Sequence, residues 1–209
     1  MIPLTVFQSE LYGGRVALKI LWRALEPQNT LRVLADVADA RANGEPWRGL
    51  GRPADEKEAL SRRQIGGPVL LERALRKVAD PDTARSLVSE IVLAASVDFL
   101  KRNVPVMRKR KILRLAPARR DRYLSGIQAK FFNADADMRL EDDQKLCMTV
   151  RRCRFVELLD AIGERAMAPV FCEGDRVFFD KHQPGITLKR PKTLSHGGDV
   201  CDFQFSWVK

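Results

Sequence analysis

Arg190, Lys192, Thr193, His196, Asp199, Cys201 and Asp202 fall within thirteen residues, and no other stretch of this 209-residue chain gathers reactive side chains so densely. A thiol, a carboxylate, an imidazole and a guanidinium could together supply a nucleophile, a proton shuttle and an anion clamp. Strand alternation puts Cys201 on one face with Phe203, Phe205 and Trp207, and Asp202 on the other with Gln204 and Ser206. Cys201 is therefore either a small hydrophobe in the core or, beside the glycine turn, a thiol at a pocket mouth. In the second case Arg190, Lys192 or His196 would lower its pKa. His196 lies in the turn Ser195-His196-Gly197-Gly198, whose backbone N–H groups could cradle an anion.

Upstream, Cys172 precedes Glu173-Gly174-Asp175. The group reads as a nucleophile with an acid–base pair, as metal ligands, or as a loop with a capping acid. Cys153 follows Arg151-Arg152 at a strand-to-helix junction and reads as a packed cysteine; Cys147 reads as structural and His182 as a surface residue. The cysteine spacings of six, nineteen and twenty-nine residues contain no CxxC, so a finger-type zinc site is not expected. HExxH, GxSxG, P-loop and GxGxxG motifs are absent.

These residues need elements to position them. Helical spacing predicts helices over 8–25, closed by Pro27, and from Asn29 or Thr30, either of which can cap, with Leu31, Leu34, Val37 and Ala38 buried. Asn43–Pro53 is a Gly/Pro-rich loop, a lid or a surface connection. A helix from Asp55 stops or kinks near Gly66-Gly67-Pro68 and resumes over Val69–Val78. Asp80-Pro81 starts a strongly apolar helix to Arg102, expected at the centre of the helical layer. A basic segment follows, then a helix over about 117–132. After Asn133 the period changes to two: a hairpin around Asp142-Asp143, a short helix over Phe155–Ile162, an ambiguous stretch over Pro169–Phe179, and strands over Ile186–Arg190 and Val200–Val208. The expected class is α+β: an N-terminal helical layer packed on a small C-terminal four-stranded antiparallel sheet with one inserted helix. Residues 1–209 are expected to form a single domain, mainly helical over 1–132 and carrying the sheet over 133–209.

Apolar residues at 45% and charged residues at 31% describe a globular chain. No apolar run predicts a membrane span or a secretion signal, and unpaired thiols point to the cytoplasm. The net charge of +10 is concentrated in Lys101–Arg122, which holds ten basic residues and the single acid Asp121. Nucleic-acid binding through Arg108–Arg122 is one reading; a solvated face is favoured over it.

Cys153-Arg154-Phe155, Phe171-Cys172-Glu173-Gly174-Asp175 and the run Leu188–Phe205, LKRPKTLSHGGDVCDFQF, resemble the L-2-amino-thiazoline-4-carboxylic acid hydrolase family. Arg190, Thr193, Leu194, Gly197, Cys201, Asp202 and Phe203 match its C-terminal pattern in spacing. The likeness covers about residues 145–207. It implies hydrolytic opening of a cyclic amidine carboxylate, classed as an attack on a non-peptide C–N bond, to an N-carbamoyl-cysteine. Under it Cys201 or Cys172 is the nucleophile, and Asp175 or Asp202 shuttles protons. Arg190 binds the carboxylate of a small anionic heterocycle, helped by Thr193, Gly197 and Gly198. No cofactor is required. A weaker likeness, to 4-vinyl-reductase-like domains, implies a non-catalytic ligand- or metal-sensing module, with zinc held through Cys172 and Cys201.

Overall fold

A computed structural model describes residues 4–208. Six helices come first: α1 (Leu4–Ala24), α2 (Pro27–Ala42), α3 (Glu56–Leu75), α4 (Pro81–Asn103), α5 (Lys109–Arg114) and α6 (Pro117–Gln128). The hairpin of β1 (Ala134–Asp142) and β2 (Lys145–Cys153) follows, then α7 (Arg154–Ala161), α8 (Ala168–His182), β3 (Ile186–Lys189) and β4 (Cys201–Trp207). The sheet is antiparallel with order β1-β2-β4-β3, which is the expected α+β layout. Two helices, α7 and α8, are inserted where one was expected, because the ambiguous stretch after Pro169 is helical.

The central helix α4 starts as its sequence dictates. The Asp80 carboxylate accepts from the backbone N–H groups of Asp82 and Thr83, and Pro81 occupies the first turn. Its buried residues, from Ala84 and Val88 to Phe99 and Leu100, face neighbours on several sides, and it packs against α1, α3 and α8. Two boundaries differ from expectation. Pro27 opens α2 rather than closing α1, and Glu26 holds the cap position, while the Thr30 hydroxyl instead donates to Leu21 O at 3.3 Å. Pro68 does not break α3. Ile65, Val69, Leu70 and Leu71 are buried on both sides of it, so packing offsets the lost backbone bond.

The sheet buries one face. Met138, Met148 and Phe203 stand in register across β1, β2 and β4, and Leu146 stands opposite Phe205. Phe205 meets Phe179 of α8 with ring centroids 4.7 Å apart. The burial pattern of β4 alternates as its sequence predicts, with Cys201, Phe203, Phe205 and Trp207 inward. Among the described residues no helix is long and apolar enough to cross a membrane.

Candidate active site

Three elements bring the reactive side chains together. Helix α8 carries Cys172 and Asp175 one turn apart, so both project from the same face. Arg190 follows the last residue of β3, and Cys201 opens β4. Gly174 allows α8 to lie against α4: a Cβ there would stand 2.4 Å from Ser96 Cβ. Cys153, at the junction of β2 and α7, receives a hydrogen bond from Asn133 Nδ2 at 3.6 Å.

Cys153, Cys172, Asp175, Arg190 and Cys201 all line one small cavity of about 80 Å³, with Phe99, Phe155, Phe171 and Phe203 among its other walls. Arg190 is anchored inside it. Its guanidinium donates to Asp175 Oδ2 at 3.2 Å and to Cys172 O at 3.1 Å, and stacks over the Phe203 ring at 5.2 Å. The Asp175 side chain is 21% exposed and faces thiols and aromatic rings. Burial there raises its pKa from the usual 3.8 to about 6, with Arg190 opposing the rise.

The thiols are held neutral. Burial pushes Cys172 up to about 12, and Ser195 and Arg190 lower it too weakly to compensate. Burial also raises Cys201 and Cys153. Leu194 N–H donates to Cys201 Sγ at 3.2 Å and counters burial only partly. Arg190 lowers the Cys201 pKa in the expected sense, but desolvation outweighs the guanidinium, so the net shift is upward and the thiol is not activated.

Four expected site residues lie outside this cavity. Asp202 is on the other face of β4, where it accepts from Gln204 Nε2 at 2.6 Å. Thr193 is buried behind Cys172, in a hydroxyl network rather than against open space. Gly197 and Gly198 build the turn instead of cradling an anion. Gly197 adopts φ +83°, and the N–H groups of His196, Gly197 and Gly198 are spent on Thr193 O, Leu194 O and Thr193 O. A Cβ on Gly198 would stand 3.0 Å from Thr193 O.

Sequence reading assigned no side-chain role to Ser195, Gln64 or Ser96. Ser195 accepts from Cys172 Sγ at 3.3 Å, and His196 Nδ1 lies 3.1 Å from Ser195 Oγ, which joins Cys172 to the exposed His196. Gln64 of α3 and Ser96 of α4 also line the cavity. No local motif marks these two. The helix that pairs Cys172 with Asp175 left signals only at its ends: Pro169 in its first turn and Lys181-His182 in its last.

The family model for L-2-amino-thiazoline-4-carboxylic acid hydrolase matches residues 60–205. The chain belongs to this family. The match runs from α3 to the penultimate inward residue of β4, so every residue lining the small cavity lies within the family's span. No curated protein and no solved structure matches the chain. No match carries the 4-vinyl-reductase likeness. Among the described residues no three His, Cys, Asp or Glu side chains are grouped to hold a metal ion, so the donor set does not fit zinc.

Proposed function

We propose that this member of the family hydrolyses a small cyclic amidine carboxylate of the 2-aminothiazoline-4-carboxylate type. The observation that carries the reading is the Asp175–Arg190 pair facing three neutral thiols in one cavity. A general base works best with a pKa near the operating pH, and Asp175, raised to about 6, meets that condition.

In this reading Asp175 takes one proton from water, and the hydroxide adds to the amidine carbon while the C=N electron pair moves onto the ring nitrogen. As the tetrahedral carbon collapses to the urea carbonyl, its hydroxyl proton passes to that nitrogen, the carbon–sulfur bond breaks, and Asp175 returns its proton to the sulfur. The product is an N-carbamoyl-cysteine, and the bond finally broken is carbon–sulfur. Arg190 uses its remaining N–H donors for the substrate carboxylate. Water is favoured over a thiolate nucleophile because burial keeps Cys172 and Cys201 protonated. Asp202, Thr193, Gly197 and Gly198 have supporting roles around the turn. Four free thiols fit a reducing compartment, and a cytoplasmic location is part of the proposal.

The test is product analysis on the thiazoline carboxylate with the wild type, Asp175→Asn, Cys172→Ala and Cys201→Ala. Release of a free thiol and a urea by the wild type, a loss of about 100-fold or more in Asp175→Asn and near-wild-type rates in both alanine variants are expected. Loss of activity in a folded Cys172→Ala or Cys201→Ala variant, with Asp175→Asn active, overturns the water route. No turnover by the folded wild type overturns the reaction.

A further inference from the structure

The small cavity adjoins a much larger one. A chamber of about 980 Å³ lies between α1, α2, α3 and α4, and the loop carrying Pro46 and Trp47 also lines it. The two spaces share walls at Gln64, Ser96, Phe99, Phe155 and Phe171. Its volume is at the upper end of the roughly 300–1,000 Å³ typical of small-molecule sites. A ring bearing one carboxylate uses little of it.

The sequence keeps this space open. Packed interiors leave few voids larger than a water molecule. Here glycines stand on two facing helices, Gly13-Gly14 on α1 and Gly66-Gly67 on α3. Gly13 and Gly66 serve close packing: a Cβ would meet Ala95 at 3.2 Å in one case and Trp47 Nε1 at 2.9 Å in the other. Gly14 serves none, since a Cβ there meets nothing within 4 Å. The remaining walls are mainly aliphatic, with Leu21, Leu34, Val37, Leu71, Val88 and Ile91 among them. Arg63 and Arg62, which also line it, are neutralised by Glu10 and Glu58.

At the junction the chemistry changes. The side chains of Gln64 and Ser96 make no hydrogen bond to any described residue. An uncommitted amide and hydroxyl between an apolar chamber and a charged cavity suit a ligand that is polar at one end and apolar along its body. We infer that the substrate of this chain carries a bulky apolar substituent, aryl or long alkyl, which occupies the chamber while its amidine carboxylate head reaches Asp175 and Arg190. The assignment of the head rests on the proposed reaction; that of the body rests on the chamber alone.

The experiment compares 2-aminothiazoline-4-carboxylate with its 5-phenyl derivative in wild type, Gly14→Phe and Val37→Phe. In parallel, calorimetry measures binding of the saturated thiazolidine-4-carboxylate, which lacks the amidine carbon, with and without the same phenyl group. Melting temperatures show that the variants fold. A single extra methylene in an apolar pocket is worth roughly 10–200-fold, so the phenyl compounds are expected to gain at least about 10-fold in kcat/KM and in affinity. Gly14→Phe and Val37→Phe remove that gain and leave the unsubstituted ring unchanged. Equal or weaker handling of the phenyl compounds by the wild type overturns the inference, as does a gain that survives in both folded variants. If neither ring is hydrolysed but the phenyl thiazolidine binds about 10-fold tighter and loses this in the variants, the chamber assignment stands and the reaction falls.

Discussion

A carboxyl group whose proton leaves near pH 6 instead of 3.8 changes charge inside the range where enzymes work. Below about pH 6 Asp175 is protonated and cannot accept a proton from water. kcat/KM is therefore expected to rise about tenfold per pH unit up to about 6 and to level above it. Arg190 opposes the effect of burial, so Arg190→Gln should move this limb to higher pH, while a purely structural Arg190 would lower the rate without moving it. The same group affects stability with a definite sign. The folded chain holds the Asp175 proton more tightly than the unfolded chain does. Its contribution is complete below 3.8 and is lost as pH rises through about 6. Asp55, Asp80 and Asp135, lowered by hydrogen bonds to backbone N–H groups or to Arg154, act in the opposite sense: their contribution is lost as pH falls below their folded values. At the residue scale the sequence revealed which side chains could react but not their charge state. Cys201 has Arg190 nearby in both views; only the packing around it tells whether desolvation or the guanidinium prevails.

Between elements, the closest fit is that of α8 on α4. Gly174→Ala would place a methyl group 2.4 Å from Ser96 Cβ, and overpacking of this kind costs about 1–3 kcal/mol. The urea midpoint of Gly174→Ala should fall accordingly with an unchanged slope. Ser96→Gly alone should cost about 0.5 kcal/mol through helix propensity, yet in the Gly174→Ala background it should restore much of the loss. That non-additivity is the measurable sign of direct contact. Element types were largely legible. The two-residue period gave the hairpin and β4, and Asp80-Pro81 gave the start of α4. Reading failed where local and tertiary preferences compete. Pro68 and the adjacent glycines signal a break, but burial of α3 on either side overrides them. Cys172-Glu173-Gly174-Asp175 is poor in helix formers, and its helix is sustained by Phe178, Phe179 and the Gly174–Ser96 contact.

Across the whole chain two apolar cores interlock. The core of the sheet takes in Val6 of α1 and Phe99 and Leu100 of α4. The core of the helical layer takes in Val156, Leu158 and Leu159 of α7. Neither the segment 1–132 nor the segment 133–209 owns a complete core, so the chain is expected to unfold in one transition. Far-ultraviolet dichroism and tryptophan fluorescence should give coincident curves, and a 1–132 fragment should lack cooperative melting. A fragment that melts like the whole chain would establish two separate units. The cavity and the chamber lie between these shared cores, which is why no single stretch of sequence announces them. Part of the basic segment is committed to the same framework: Lys109 bonds Gln144 of the hairpin turn, and Lys111 lies 4.5 Å over the Tyr123 ring.

The strand order has a consequence for biosynthesis. β4 follows β3 in the chain, yet it lies inside the sheet between β2 and β3. The β1-β2 hairpin can close as soon as it leaves the ribosome, but β3 has no strand to pair with until residues 201–207 emerge. Helix α8 waits too, since Phe205 is its partner across the core. Until residues 201–207 emerge, a nascent chain therefore carries an apolar sheet face and an unpaired strand edge, and truncation after residue 200 removes Cys201, the ring beneath Arg190 and the join between both halves of the sheet at once.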